Sequence, residues 1–313
     1  ITTVVCPDAD VRVLLLADAE ARLRRRTLEL YGDVSEDHLA ATRHQIQDRD
    51  TADATVAALQ GVLKHERSFW GTRTACAKAL GQLRTPAARD ALLASLQVKH
   101  PKVRRAVVAA LGRCVGEAPV GQALLALARK GDASGFVEGE AARAVGRLQA
   151  KGAFEVLSAM LDRPSFQDAV RVGALDGLAA LREEKSWKPV VAALAVGAPV
   201  FGRRAAVVAL ARLAPAIDKE TEAVELIARH LRDESFRVRL AAIEAATVLG
   251  DERLISALRS TPFLDGREQR AAREAVRTLR SRSPTKELAG VRAELDKLKG
   301  EVRALTEKLE KRR

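Results

Sequence analysis

An internal repeat constrains this chain more than any other feature. The stretch T-A-C-A-K-A-L-G-Q-L at 74–83 recurs as R-A-V-V-A-A-L-G-R-C at 105–114 and as G-E-A-A-R-A-V-G-R-L at 139–148, with looser copies ending at Leu181, Leu213, Leu249 and Leu279. The residues just before these blocks are Arg73, Arg104, Glu138, Arg171, Arg203, Arg239 and Gln269, at steps of 31, 34, 33, 32, 36 and 30. Seven units of about 33 residues follow, and a period in that range marks an array of small supersecondary units rather than one large core. The length agrees, because single cores stop growing near ~250–300 residues.

Within one unit the apolar spacing is helical. Ala88, Leu92, Leu93 and Leu96 share one face, and Val103, Val107, Ala110, Leu111 and Cys114 share another. Pro86, after Thr85 as cap, and Pro101, after His100, each suit the first turn of a helix, where a missing N–H costs nothing. Ala fills 58 positions and only 10 residues are aromatic, a composition that favours helices. A two-helix hairpin cannot bury both of its faces alone, so neighbours must stack. The fold class is therefore all-α: an α-solenoid of about seven two-helix repeats over residues 51–281. Small residues late in each second helix, Gly81, Gly112, Gly146, Ala179 and Ala211, are expected to let adjacent units approach closely.

The two ends differ from the array. Residues 1–50 form a lead-in segment whose first five residues are β-branched and strand-like, while residues 11–31 look helical. The chain opens on Ile1 and its single Met is Met160, so a lost upstream segment is the expectation. Residues 282–313 carry a heptad seam, with Leu288, Val291, Leu295, Leu298, Val302, Leu305 and Leu309 at alternating steps of 3 and 4. Such a helix either pairs with a second copy as a coiled coil, making a homo-oligomer, or folds back to cap the last repeat.

Charge and chemistry narrow the function. The net charge is +12, of which residues 267–313 hold +7, so the array itself is nearly balanced. Arg267, Arg270, Arg273, Arg277 and Arg280 line one helical face, which reads as solvated. Nucleic acid is a disfavoured partner, since base stacking needs more aromatics than this chain has; Trp70 and Trp187 would be the residues to contact a base, though helix packing explains both. None of the five histidines forms H-E-x-x-H, the three cysteines form no C-x-x-C pair, and Cys114 occupies an apolar slot. No catalytic, cofactor-binding or metal-ligating residue is expected in this chain. The longest apolar run, at 189–201, is too short to span a membrane. A soluble chain is the expectation; the sequence leaves the compartment open, with the cytoplasm slightly favoured.

The two-helix unit, with Arg opening its second helix and A-x-A-L-G-x-L closing it, resembles the HEAT repeat. Unit six carries the turn pattern most fully, in D-E-S-F-R-V-R-L-A-A-I-E-A from Asp233. Asp233 at the turn and Arg239 in the next helix imply ladders of charge that tie consecutive turns together. Four segments, at 69–81, 131–143, 166–178 and 265–276, resemble the C-terminal HEAT-like half of bacterial zinc aminopeptidases of the aminopeptidase N family. That resemblance covers roughly residues 42–313. It implies a noncatalytic helical bowl packed on an upstream catalytic domain, with zinc held only by that missing domain.

The leading expectation is thus an accessory domain that shapes peptide access to a zinc aminopeptidase. The alternative is a stand-alone scaffold that binds a protein or peptide partner and self-associates through its C-terminal helix.

Overall fold

The computed structural model describes residues 49–281, together with Leu295, Lys297 and Lys299 further on. The strand-like and helical readings of the first 48 residues, and most of the heptad seam, lie outside the described residues. Leu295 is helical and exposed.

The described residues are helical, with no strand among them. They divide into two compact units that meet between Leu181 and Arg182. In the first unit the helices are α1 (Arg49–Lys64), α2 (Trp70–Leu83), α3 (Pro86–Leu93), α4 (Pro101–Leu111), α5 (Ala118–Lys130), α6 (Gly135–Arg147), α7 (Ala153–Met160) and α8 (Ala169–Leu181). In the second they are α9 (Trp187–Ala192), α10 (Val200–Leu213), α11 (Glu220–His230), α12 (Phe236–Leu249), α13 (Leu254–Ser260) and α14 (266–281). The pairs α1–α2 through α13–α14 are the seven repeats, four in the first unit and three in the second.

Local signals set the boundaries. Thr85 caps α3, its hydroxyl accepting from the Ala88 amide at 3.1 Å, with Pro86 at the first helical position. Pro101 opens α4 in the same way after His100. Left-handed residues, Arg84 (φ 53°) and Gly250 (φ 73°), end α2 and α12.

Within the first unit the second helices stack in order, α2 on α4, α4 on α6 and α6 on α8, while each first helix packs beside its own second helix. In the second unit α10 stacks on α12 in the same manner. Leu80, Leu92, Leu111, Leu124, Leu157 and Leu175 are all fully buried. Each such side chain gains roughly 1.5–3 kcal/mol by leaving water. This burial is shared between neighbours, so no repeat holds its own core.

The small residues act as the sequence implies. A Cβ built on Gly81 would meet the Ala110 Cβ at 2.8 Å, and one on Gly112 would meet the Ala144 Cβ at 2.7 Å. Between α6 and α8 the approach is closer still and runs backbone to backbone. A Cβ on Gly173 would stand 2.5 Å from the Gly139 Cα, and one on Gly146 would stand 2.6 Å from the Gly177 carbonyl carbon. Only glycine on both helices permits that spacing.

Candidate interaction face

Arg104, Arg203 and Arg239 form the ladder that the turn pattern implies, while Arg73 and Arg171 donate to the carbonyls of Leu63 and Leu161, at 2.8 and 2.7 Å. Arg104 Nε and Nη2 donate to both Asp132 oxygens, at 2.8 and 2.7 Å, across 28 residues. Its Nη1 donates to the Val98 and Lys99 carbonyls, at 3.0 and 2.6 Å, closing its own turn. Asp132 also accepts from the Ser134 amide at 2.8 Å, ordering the approach to α6. Burial pushes the Asp132 carboxyl up, but the Arg104 hydrogen bonds, the Ser134 amide and the Arg104 charge together outweigh it and hold the group below its ordinary range.

The second unit repeats the arrangement. Arg203 pairs with Asp233, whose other oxygen accepts from the Ser235 amide at 2.8 Å. Arg239 reaches Glu268 at 2.6 Å and the Asp233 carbonyl at 2.8 Å. Gln269, in the final slot, donates to the Phe263 carbonyl at 2.9 Å, keeping the turn contact without a charge. These residues are structural.

One rung is reversed. In the third repeat the slot holds Glu138, and its partner is Arg163 of the following turn, which also donates to the Ala128 carbonyl at 3.1 Å. Acid and base have exchanged places, so the ion pair survives although the slot residue changed sign.

A further set of polar and aromatic groups of the first unit gathers on the exposed face of its second helices. Along one edge lie the rings that open each of them. Phe69 and Trp70 stand at α2 with centroids 5.2 Å apart. His100 stacks on Trp70 at 6.0 Å, and the Lys102 ammonium sits 4.1 Å from the Trp70 ring. Arg105 lies 5.9 Å from the Phe136 ring, which meets Phe166 edge-on at 6.4 Å. Phe69 is 66% exposed and Phe166 is 72% exposed, far more than helix packing requires. Phe166 is presented by Gln167 and Asp168, consecutive non-glycine residues in the left-handed region (φ 53° each). Left-handed backbone at such residues costs roughly 1 kcal/mol each.

Below the rings the face is basic. Glu140, itself largely buried, accepts from Arg147 at 3.1 Å and lies 3.5 and 3.9 Å from Arg143 and Arg105. Arg143 Nε also donates to Asp176 at 2.8 Å. Both carboxylates are thus engaged, whereas Lys78, Lys102, Arg105 and Arg113 keep exposed cationic ends.

Other residues singled out in the sequence fall elsewhere. Arg267, Arg270, Arg273, Arg277 and Arg280 are exposed on α14, a solvated face, with Arg267 paired to Asp265 at 3.1 Å. Trp187 donates to Glu222 at 3.0 Å. Cys76 is buried; Cys114 is half-buried, and burial raises its thiol pKa. Among the described residues no group of three or more His, Cys, Asp or Glu is placed to hold a metal ion, and no helix is long and apolar enough to cross a membrane.

The aromatic row escaped the sequence reading, which treated scarce aromatics as a composition and did not phase them to the repeat. The signal was there. Trp70, Phe136, Phe166, Phe201 and Phe236 all fall two to five residues before their slots at 73, 138, 171, 203 and 239.

Seven two-helix units with a charged slot ladder and small-residue seams define a helical-repeat protein of the HEAT type. Comparison with known families agrees, the profile for HEAT repeats matching residues 9–112 and 56–136. Among solved structures, the CpcE–CpcF complex of phycocyanin lyase from Nostoc sp. PCC7120 overlaps 70% of this chain and 92% of its own, at 19% identity and a TM-score of 0.47. Human deoxyhypusine hydroxylase overlaps 73% and 97%, at 16% identity and a TM-score of 0.35. A designed armadillo repeat protein in complex with the peptide (KR)4 overlaps 74% and 95%, at 18% identity and a TM-score of 0.38. These overlaps are partial, and the repeats themselves define the fold. Curated relatives match only in part. Cytidylate kinase of Methylocella silvestris is 45% identical over 58 residues, 18% of this chain and 27% of the kinase, and that of Cutibacterium acnes is 48% identical over 60 residues, 19% and 26%. The match spans about a quarter of those enzymes.

Proposed function

We propose that this chain is a noncatalytic repeat scaffold that binds a protein partner on the exposed face of α2, α4, α6 and α8. The observation that carries this reading is the row of exposed rings from Phe69 to Phe166. Large aromatics left in water with cations against them are what interfaces bury, and they are enriched among the residues that dominate binding energy. The test compares the full chain with its Phe136→Ala/Phe166→Ala variant as bait, with cross-links mapped by mass spectrometry. Partners held by the wild type, lost with the variant and cross-linked to α4 or α6 are the expected result. Identical partner sets for both baits would refute the reading.

A more specific version makes these repeats the C-terminal part of a zinc aminopeptidase, packed on the catalytic domain and shaping peptide entry. It is supported by the four segments whose sequences resemble that family. Zinc would then belong to the upstream domain alone. An aminopeptidase assay on the parent polypeptide and on this chain decides it: activity in the longer protein only is the expected result, and an upstream sequence without H-E-x-x-H would remove it. Self-association through Leu288 to Leu309 is a separate proposal, resting on the heptad seam.

A further inference from the structure

The chemistry of the face in the first unit also indicates what kind of segment it takes. The aromatic row has two ends. Phe69 and Trp70 stand at α2, Phe136 and Phe166 stand at α6 and α8, and between them α4 contributes no exposed aromatic but two cations, Lys102 and Arg105. The pattern along the edge is therefore apolar, basic, apolar.

The spacing of the pattern follows from the helix stack. Packed helices lie about 8–10 Å apart, so the two helix steps from α2 to α6 separate the aromatic ends by about 18 Å. An extended peptide advances about 3.3 Å per residue, which puts about five or six residues between side chains reaching the two ends. Residues between those anchors would run past Lys102 and Arg105.

The charge balance favours carboxylates there. Glu140 and Asp176 are engaged by Arg143 and Arg147, and Arg105 meets Glu140 only at 3.9 Å, so the exposed cations Lys78, Lys102, Arg105 and Arg113 outnumber the acids on the face. The chain's own C-terminal residues 282–313 carry 10 Lys and Arg against 6 Asp and Glu, so they are repelled by this surface rather than suited to cover it. A second copy laid face to face would oppose like charges.

Building on the scaffold reading above, we propose that the partner is an extended acidic segment with two apolar or aromatic anchors, one seated on Phe69 and Trp70, the other on Phe136 and Phe166, and carboxylates between them on Lys102 and Arg105. Ring and aliphatic contact at each end supplies affinity, and the central cations supply selectivity for acid over base.

The experiment is a fluorescence anisotropy titration of the full chain with three labelled synthetic peptides. The first carries two Phe about five residues apart with Glu between them; the second replaces Glu with Lys; the third keeps Glu and replaces Phe with Ser. The first peptide is expected to bind, with each of the others weaker by about tenfold or more. Lys102→Glu/Arg105→Glu and Phe136→Ala/Phe166→Ala should each weaken the first peptide by about tenfold, and Arg237→Ala in the other unit should leave it unchanged. Thermal melts matching the wild type confirm that the variants are folded, which the exposure of these side chains favours. Binding of the Lys peptide as tight as the Glu peptide, no binding of any peptide, or indifference to charge reversal would each overturn the assignment. If partners are still lost with Phe136→Ala/Phe166→Ala while the acidic peptide fails to bind, the scaffold reading stands and only the acidic partner falls. If the partner sets are also unchanged, both fall.

Discussion

Replacing Gly173 by Ala sets helix propensity directly against packing. Ala is favoured over Gly inside a helix by about 0.8–1 kcal/mol, so on local grounds the substitution should stabilise α8. The new methyl, however, would stand 2.5 Å from the Gly139 Cα and closer still to that residue's carbonyl oxygen, both backbone atoms of α6. A side chain could rotate away, but a helix backbone cannot, so α6 and α8 must separate. Overpacking of this kind costs about 1–3 kcal/mol, and the upper part of the range applies because the obstruction is rigid. The net loss is about 1–2 kcal/mol, which for a chain of this size lowers the melting temperature by about 2–3 °C. Gly61→Ala is the control: Gly61 is exposed on α1 and a Cβ there meets nothing within 4 Å. It should gain about 0.5–1 kcal/mol. Thermal melts of the two variants beside the wild type read the difference. A Gly173→Ala protein that melts as high as Gly61→Ala would refute the claim that glycine is required by the close approach of α6 and α8.

Three further outcomes follow from the ladder and the termini. Asp132→Asn should cost about 1.5–3 kcal/mol at neutral pH, measured by urea unfolding. Because the folded state holds the Asp132 carboxyl below its ordinary value near ~3.9, that stabilisation is fully present above this pH and disappears as pH falls through the lower folded value. The two proteins should therefore converge in strong acid, and a gap independent of pH would contradict the ion pair's role. Glu138→Arg, which faces Arg163 with a like charge, should destabilise by about 3 kcal/mol. Adding Arg163→Asp should recover at least ~1 kcal/mol in a double-mutant cycle; simple additivity would argue against a reversed rung. Light scattering of the chain with and without residues 282–313 should show a higher mass for the longer form, and equal masses would end the self-association proposal.

Much of the fold was legible because its determinants are local or periodic. The helix starts at Thr85–Pro86 and at Pro101, the apolar spacing around Leu92 and Val107, and the slot residues at steps near 33 are each readable without knowing where anything sits in space. The same periodicity identified Arg104, Arg203 and Arg239 as structural, since a charge recurring in phase with the repeat has a packing role that recurs with it.

Contacts between repeats decided the rest. The sequence marked Gly146 as a small residue, but its pairing with Gly177 across α6 and α8, and that of Gly173 with Gly139, depends on how two helices about 30 residues apart are set against each other. The reversed rung is similar: Glu138 in a slot held by Arg in five of the seven repeats looks like a lost interaction until stacking brings Arg163 to it. The face itself belongs to this class. Phe136 and Phe166 are remote in the chain and become one apolar patch only because α6 and α8 lie side by side, with the left-handed backbone at Gln167 and Asp168 turning Phe166 outward. Periodicity along one chain specifies which residues face a neighbour. Which of them meet, and which are left to a partner, is settled by the distance and angle at which the helices stack.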